Sequence, residues 1–404
     1  MNPSLMPLEE ARERILAALP SPARETISLQ EASGRIALVD AAAPSDLPPF
    51  DNSSMDGYAV VAQDTAGANP KEPLKLRLTG RFPAGGVLPA SRVGSGCCAR
   101  VFTGSALPPG ANAVVMQEDT REDGDMVEIM DPVKPWENVR LKGEDVRTGT
   151  LLWRAGQRLS PGRVAMAQAL GLAEIVVGRR PVVGLIATGD ELLEPGAPAE
   201  PGKIYESNRT LLKSLAGKAG AVARCFPIVA DSEESTIKAL EEAVSTCDLV
   251  ITTGGASVGD HDWIKPALKK AGGVIDLWKI AVKPGKPFVF SRLRDRPVFG
   301  LPGNPVSALV TFVLLVRPAL LRWQGARDLN LPRSRGSLAE TILNPGPRRH
   351  FVRVRMEEDG SVVPSGPQAS HMMSSLAFSS GLVDVPPDGQ IAAGTTVEVF
   401  HWDA

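Results

Sequence analysis

A glycine-rich segment joins a strand-like run to a helical pattern in the second half of the sequence. Residues 252–262 read Thr-Thr-Gly-Gly-Ala-Ser-Val-Gly-Asp-His-Asp; they follow the run 248–251 and precede a helical pattern from Trp263. Three glycines within six positions let the backbone turn tightly and approach a ligand closely. Bare amides at a helix start favour an anion, and Asp260 and Asp262 offer hard oxygens to a divalent cation. We therefore expect a phosphate and metal site; a glycine-rich turn with two solvated aspartates is the alternative.

Length, charge and cysteine spacing limit the classes of protein to which the chain can belong. At 404 residues it exceeds the roughly 250–300 residues at which single cores stop growing, so more than one domain is expected. A net charge of −2 argues against nucleic-acid binding, which needs a basic face. The four cysteines have no Cys-x-x-Cys spacing, so we expect reduced thiols in a cytoplasmic protein rather than a zinc site.

No signal peptide is visible, but one uncharged window raises the question of a membrane span. Residues 297–316 carry no charged side chain and contain Pro302-Gly303-Asn304-Pro305. A spanning helix needs about 20 apolar residues in succession, and this turn interrupts them. The window therefore predicts a strand, a turn and a buried helix, and no membrane partner.

The pattern after Arg179-Arg180-Pro181 alternates between strands and helices, as in a wound α/β unit. Strands are predicted at 182–187, 222–229, 248–252 and 298–301, with an extended segment at 278–292. Helices are predicted at 207–220, 232–245, 263–271 and 306–323. Ligands in such sheets bind outside the carboxyl ends of the strands. Four polar or glycine-rich loops lie there, at 188–191, 230–231, 254–262 and 301–305, and they are expected to meet.

Short strand-like runs flank this unit on both sides. A helix is predicted over residues 8–19, and runs at 74–78, 97–102, 113–116 and 126–129 predict a small all-β unit. From residue 328 onward, runs at 339–343, 350–356, 361–364, 381–385 and 395–400 predict a C-terminal barrel or sandwich.

Charged and polar side chains at the predicted sheet edge are candidates for chemistry. We expect Asp190 to be functional, whereas Glu191 fits equally well an acid in the first turn of a helix. If residues 278–283 are extended, Lys279 and Lys283 share one face of a strand; with Lys286 they suit a polyanion, and a solvated stripe of lysines is the alternative. The turn with Asn304 forms either the floor of a site or only the start of a helix.

Upstream of the α/β unit, three short segments carry further polar residues. Asp56-Gly57 favours a turn, so a structural turn and a functional carboxylate both stay open for Asp56. Thr103-Gly104 and Gly143-Glu144-Asp145 are typical of ordinary β-turns when each is taken alone.

Together these segments resemble the molybdopterin molybdenumtransferase family, which includes MoeA-like proteins and the related domain of gephyrin. The similarity rests on eight collinear motifs, at residues 49–59, 103–104, 143–145, 188–191, 204–208, 254–260, 283–287 and 301–307. The C-terminal region matches through Arg353 and Gln368-Ala369-Ser370-His371.

The resemblance implies a multidomain α/β plus β fold and an elongated homodimer. The four domains would be an N-terminal domain of split segments (1–50 and 140–178), an inserted β-rich domain (51–139), a MogA-like wound α/β domain that binds molybdopterin (179–327) and a C-terminal β-barrel-like domain (328–404). The active site would lie between the α/β domain of one protomer and the N-terminal segments of the other.

The resemblance also implies a reaction, in which molybdate enters the dithiolene of adenylylated molybdopterin and AMP is released with Mg²⁺. The catalytic residues would be Asp56, Asp145, Glu191, Asp231, Asp262, Lys279 and Lys283. The substrate-binding residues would be Thr103, Thr188, Gly254, Gly255, Ser257, Gly259, Lys286, Pro302, Asn304, Arg353 and Ser370. Asp190, Asp231 and Asp262 would bind the metal, and Lys279, Lys283 and Arg353 would offset the repulsion between two dianions.

Two other functions stay open. A molybdopterin adenylyltransferase would share the α/β unit, but such enzymes lack the flanking domains. A non-catalytic scaffold, as in gephyrin, would not need the acids and lysines that this sequence keeps. The family context implies a molybdopterin adenylyltransferase and molybdoenzymes as protein partners.

Overall fold

Three six-stranded sheets organise the chain. The structure is a computed structural model that describes residues 5–86, 92–255 and 263–402. One sheet belongs to a β unit near the N-terminus, one to the central α/β unit and one to the C-terminal region. The architecture is therefore multidomain α/β plus β, as predicted.

The first helix, Leu8–Ala17, confirms the helix predicted over residues 8–19. Its buried residues Leu8, Ala11 and Ile15 recur at the spacing of one helical face. They belong to the same hydrophobic cluster as Leu212 and Phe312 of the α/β unit. The helix therefore packs on the α/β unit.

Segments on either side of the β unit pair with each other. Antiparallel ladders join Arg24–Ser28 to Glu174–Gly178, Ala41–Ala42 to Leu151–Trp153, and Asn52–Ser53 to Val139–Arg140. Trp153 and Leu159 lie in the core between them, beside the helix Pro161–Ala169, which Ser160 caps by accepting a hydrogen bond from the amide of Arg163. The chain thus leaves this unit and returns to it.

The β unit between these segments is one twisted sheet. In spatial order its strands are Ala113–Met116, Gly57–Val60, Cys97–Val101, Leu74–Phe82, Met126–Ile129 and Thr120–Asp123. The four strands predicted in this region are confirmed. Short 3-10 turns lie at Leu29–Glu31, Ala62–Thr65 and Gln117–Asp119.

The α/β unit is built on a mixed sheet. Its strands, in spatial order, are Val222–Cys225, Val182–Ala187, Leu249–Thr253, Arg296–Leu301, Val289–Leu293 and Val274–Trp278. The first four strands are parallel to one another. Val289–Leu293 pairs antiparallel with Arg296–Leu301, and Val274–Trp278 pairs antiparallel with Val289–Leu293. The helices are Asn208–Lys218, Glu233–Thr246 and Ile264–Lys270, followed by a continuous helical segment of Pro305–Thr311, the π-helical turn Phe312–Val316 and Arg317–Trp323. A small pair, Leu192–Leu193 with Ile204–Tyr205, lies beside the sheet.

The prediction of one extended segment over 278–292 is wrong. The strand Val274–Trp278 ends where Lys279 takes a positive φ of 68°. The next strand, Val282–Lys283, leaves the α/β sheet and pairs in parallel with Arg349 and His350 of the C-terminal sheet. Lys279 and Lys283 therefore do not alternate along one strand.

By length and composition, one helix in the described ranges could cross a membrane, namely Pro305–Trp323. Most of its apolar window, 83%, is buried inside the protein. Val306, Leu309, Phe312 and Leu320 lie in the main core. This confirms the buried helix that the sequence predicts after the turn at 302–305.

The C-terminal region contains a closed barrel. Its strands in order are Arg349–Met356, Ser361–Pro364, Arg333–Leu338, Thr396–Phe400 and Gly381–Val385, and the last pairs with the first. Ile342–Asn344 and Gly389–Ile391 form a separate pair, and a short helix spans Met373–Ala377. The predicted barrel-like domain is confirmed.

Candidate functional site

A cavity of about 590 Å³ lies at the carboxyl edge of the parallel strands. Val182–Ala187 lies between Val222–Cys225, the next strand along the chain, and Leu249–Thr253, the strand after that. The loops that follow Val182–Ala187 and Leu249–Thr253 therefore diverge and leave a crevice. The predicted residues in its wall are Thr188, Glu191, Asp231, Gly254, Gly255, Pro302 and Asn304. Residues from the three polar loops and the start of the glycine-rich segment thus share one cavity.

Two glycines in this wall have conformations that other residues adopt rarely. Gly254 has φ 91° and Gly255 has φ 60°. A Cβ on Gly254 would lie 2.4 Å from the carbonyl oxygen of Thr188, and one on Gly255 would lie 2.9 Å from Ile264 Cγ1. Both positions therefore require glycine. This part of the cavity wall consists of backbone atoms only.

Asp190 and Asp231 hold each other in place. The amide of Asp231 donates to Asp190 Oδ1 at 3.0 Å, and the amide of Asp190 donates to Asp231 Oδ2 at 3.3 Å. Each carboxylate keeps further oxygen lone pairs for a ligand. Among the described residues no group of three or more His, Cys, Asp or Glu side chains could hold a metal ion. Two carboxylates nevertheless fit Mg²⁺, which takes one or two of them together with waters and substrate phosphates.

Asn208 is a buried residue of the cavity that the sequence analysis did not single out. Its Nδ2 donates to Thr253 Oγ1 and to the carbonyl oxygen of Gly303, both at 2.7 Å. Thr253 Oγ1 in turn donates to the carbonyl oxygen of Pro302 at 3.3 Å. The Gly303 carbonyl can only accept, so it fixes which end of the amide is nitrogen. One side chain thus joins the loop after Leu249–Thr253 to the loop after Arg296–Leu301.

The cavity also touches the C-terminal region. Asn304 Nδ2 donates to Ser370 Oγ at 2.9 Å, and His371 and Met373 line the wall. Arg353 does not line the cavity and is fully buried. Its guanidinium donates to Ser375 Oγ and to the carbonyl oxygens of Pro367 and Ala369, and burial lowers its pKa to about 10. It therefore fixes the segment that carries Ser370.

The three predicted lysines lie outside the cavity wall. Lys279 Nζ lies 4.0 Å from the centre of the Trp278 ring, a cation–π contact. Lys283 is half-buried in the strand that pairs with the C-terminal sheet, and Lys286 is exposed. Only Pro287, next to Lys286, reaches the cavity. The predicted common face of Lys279 and Lys283 is wrong because the positive φ at Lys279 breaks the strand.

The upstream candidates form a separate group. Asp56 Oδ1 accepts hydrogen bonds from the amide of Thr103 at 2.8 Å and from its hydroxyl at 2.9 Å, and these bonds lower the pKa of Asp56. Asp145 is exposed, and its amide donates to the Leu47 carbonyl. No residue from 24 to 178 lines the described wall of the cavity.

Part of the glycine-rich segment lies outside the described residues. It contains Ser257, Gly259 and Asp262, three of the predicted site residues, together with Asp260 and His261.

Comparisons with known proteins cover most of the chain. Three family models match: the MoeA N-terminal region (domain I and II) over residues 6–171, a probable molybdopterin binding domain over 184–322, and the MoeA C-terminal region (domain IV) over 335–402.

Full-length relatives give the same result. Molybdopterin molybdenumtransferase 2 of Mycobacterium tuberculosis (strain H37Rv) is 38% identical, and molybdopterin molybdenumtransferase of Haemophilus influenzae is 37% identical; each match covers 98% of both chains. A crystal structure of the molybdopterin biosynthesis MoeA protein from Pyrococcus horikoshii superposes with a TM-score of 0.82 at 33% identity, over 99% of this chain and 100% of that one. The resemblance drawn from the eight motifs is confirmed, and the chain belongs to the molybdopterin molybdenumtransferase (MoeA) family.

Proposed function

We propose that the protein is a molybdopterin molybdenumtransferase, which inserts molybdate into the dithiolene of adenylylated molybdopterin and releases AMP. The observation that carries the proposal is the meeting of Gly254, Gly255 and Asp231 in the wall of one crevice of the α/β sheet, with Asp190 hydrogen-bonded to Asp231 next to it. Exposed backbone at a strand-to-helix turn suits a phosphate, and the neighbouring carboxylates suit the cation that accompanies it.

In this proposal the chain's own residues bind and orient the substrate. Gly254 and Gly255 let the phosphate approach the backbone, and Thr188, Glu191, Pro302 and Asn304 form the surrounding wall. Ser257 and Gly259 would contribute further contacts from the glycine-rich segment.

Mg²⁺ is the divalent cation that the acids fit best. Asp190 and Asp231, together with Asp262, would hold it, and it would supply polarisation of the phosphoanhydride when bound. The contribution of the chain is to keep two carboxylates adjacent, which the reciprocal hydrogen bonds between Asp190 and Asp231 achieve.

Positive charge is needed where two dianions meet. We propose that Lys279, Lys283 and Lys286 supply it from the segment that leads to Pro287 in the cavity wall. Arg353 acts indirectly, since its donors hold the carbonyls of Pro367 and Ala369 and thereby orient Ser370.

Asp56, Thr103 and Asp145 are proposed to enter the site from a second protomer. The support is that the described cavity wall contains residues of the α/β and C-terminal regions and none from 24 to 178. A homodimer in which each site combines two chains would bring these residues to the cavity.

Mixing two inactive variants tests the shared site. The Asp56→Ala variant lacks the upstream carboxylate, and the Asp231→Ala variant lacks the cavity acid. A mixed dimer contains one chain of each variant. Random exchange of subunits in an equimolar mixture should restore about a quarter of wild-type activity, because half of the dimers are mixed and each mixed dimer has one intact site. A mixture that stays inactive after complete exchange would exclude a site built from two chains.

AMP release tests the reaction itself. Adenylylated molybdopterin, molybdate and Mg²⁺ should yield AMP and a molybdenum-loaded pterin, and omission of molybdate should slow AMP release. Accumulation of adenylylated product from ATP and molybdopterin would instead indicate an adenylyltransferase. An inactive protein that forms open polymers would indicate a scaffold.

The proposed cellular setting follows from this reaction. We place it in the cytoplasm, where a molybdopterin adenylyltransferase would supply the adenylylated substrate. Molybdoenzymes would receive the product.

A further inference from the structure

A second cavity, of about 530 Å³, shares no lining residue with the first. It is lined by Ile36 and by three segments: 154–163 of the split N-terminal unit, 317–321 of the long helix, and 326–332 on the way to the barrel. Its wall contains five arginines and a single acid, Asp328; the arginines are Arg154, Arg158, Arg163, Arg317 and Arg327. We call it the arginine cavity.

The positive charge of the arginine cavity is not neutralised within the described part of the chain. None of the five arginines forms an ion pair with a carboxylate of a described residue. The one acid, Asp328, accepts a hydrogen bond from the amide of Asn330. Several arginines elsewhere in the protein do have carboxylate partners, as in Arg35–Glu25, Arg179–Asp248, Arg209–Glu206 and Arg349–Asp384.

Two of the guanidinium groups are fixed by neutral acceptors. Arg158 donates through Nε to the Gly34 carbonyl and through Nη2 to the Lys218 carbonyl, both at 3.1 Å. Arg317 Nη1 donates to the carbonyls of Leu329 at 3.2 Å and Asn330 at 3.0 Å. Each guanidinium has five N–H donors, so donors remain, and carbonyl oxygens do not cancel the charge.

Arg317 is the half-buried arginine that lies beside another positive charge, Arg158. Burial lowers the pKa of Arg317, and the neighbouring charge of Arg158 lowers it further. The guanidinium groups of Arg154 and Arg163 make no hydrogen bond with a described residue. Their N–H donors therefore have no partner within the described part of the chain.

We propose that the arginine cavity binds a phosphate-bearing anion of nucleotide size. Guanidinium groups form paired hydrogen bonds with phosphate oxygens. The volume of about 530 Å³ falls in the range of small-molecule sites, about 300–1,000 Å³, and exceeds what one phosphate fills. Ile36, Leu321 and Leu331 give one side of the wall an apolar surface, which suits a ring attached to the phosphate.

Arg154→Gln combined with Arg163→Gln tests this site. Both guanidinium groups lack hydrogen bonds to described residues, and the backbone hydrogen bonds of Arg154 and Arg163 are kept in the variant. Titration calorimetry with inorganic pyrophosphate, and separately with AMP, is done in EDTA to remove the cation that the first cavity needs. We expect the double variant to raise the dissociation constant at least tenfold. A tighter complex with AMP than with pyrophosphate would assign the apolar side of the wall to the nucleoside.

The matched control is Arg121→Gln with Arg335→Gln, which removes the same charge from side chains that are 74% and 76% exposed. It should leave binding within about twofold, as expected for surface charges far from a site. Without ligand, the Arg154/Arg163 variant should melt close to the wild-type temperature, since its guanidinium groups have no partner among the described residues to lose. Equal weakening in both double variants, no binding to the wild type, or a change of oligomeric state in the Arg154/Arg163 variant would each overturn the proposal.

Discussion

Replacing Asn208 tests whether one buried amide positions the loops that line the cavity. Asn208→Ala removes two hydrogen bonds of 2.7 Å, to Thr253 Oγ1 and to the Gly303 carbonyl. The Thr253 hydroxyl is buried and loses a partner, whereas Gly303 is exposed and its carbonyl can bind water. Asn208 Oδ1 has no hydrogen-bond partner among the described residues, so its removal breaks no further hydrogen bond there.

The stability change follows from this count. A net hydrogen bond contributes about 0.5–1.5 kcal/mol, so we expect a loss of about 1–2 kcal/mol. For a unit of roughly 150 residues this lowers the melting temperature by about 2–8 °C. Calorimetry measures the shift directly.

The activity change should be larger than the stability change. Without Asn208 the Pro302–Asn304 loop loses the 2.7 Å bond at the Gly303 carbonyl and keeps the longer bond, of 3.3 Å, from Thr253 Oγ1 to the Pro302 carbonyl. Displacement of a reacting group by about 1 Å can cost about a hundredfold in rate. AMP release at saturating and limiting substrate separates kcat from KM. We expect a loss in kcat/KM of about tenfold to a hundredfold below the melting transition.

Asn208→Asp distinguishes the effect of losing the hydrogen-bond donor from the effect of changing the size of the side chain. The carboxylate keeps the size of the amide but cannot donate to the Gly303 carbonyl. It should therefore be at least as harmful as Ala in both measurements at neutral pH. Wild-type stability and activity in Asn208→Asp would refute the positioning role.

Three further predictions address the rest of the molecule. His350 is buried, and neither ring nitrogen has a hydrogen-bond partner among the described residues; burial, followed by the charge of nearby cations, lowers its pKa to about 4. The unfolded chain binds the proton first, so stability should rise with pH between about 4 and 6.5 by up to roughly 3 kcal/mol; His350→Phe should flatten this slope in urea titrations, and an unchanged slope would contradict the assignment. Gly254→Ala places a Cβ 2.4 Å from the Thr188 carbonyl oxygen at φ 91°, so AMP release should fall at least tenfold, by the loop displacement argument, and wild-type rates would contradict the close approach. Arg179→Met removes two hydrogen bonds, of 2.9 and 2.7 Å, to Asp248 and should cost about 1.5–3 kcal/mol at pH 7; burial raises the pKa of Asp248 but Arg179 and the Val182 amide lower it overall, so the cost should shrink as pH falls below about 4.

The sequence predicted the edge of the α/β sheet well because the relevant signals are local. Apolar runs place strands such as Val182–Ala187 and Leu249–Thr253, and the residue that follows each strand then lies at the shared edge. The role of Gly254 and Gly255 was predictable for the same reason: glycines directly after a strand indicate a tight turn that other residues cannot adopt. The catalytic and metal-binding roles proposed for these residues stay predictions.

Other features could not be predicted because their causes are distant in sequence. The partners of Asn208 lie 45 and 95 residues away, and an Asn at the first turn of a helix is typical of local capping. The break at Lys279 was missed because the argument that Lys279 and Lys283 share a face assumes a continuous strand from 278 to 283. The strand predicted over 222–229 ends at Cys225, before Pro227, which cannot donate to a ladder.

The strand Val282–Lys283 ties the two halves of the protein together. It belongs by sequence to the α/β region, but its ladder partners are Arg349 and His350 of the barrel. A fragment that stopped at residue 327 would keep Lys283 and lose the backbone that fixes its direction. The barrel thus fixes the backbone direction of Lys283, which lies far before it in the sequence. An isolated α/β fragment should therefore lack this constraint on Lys283.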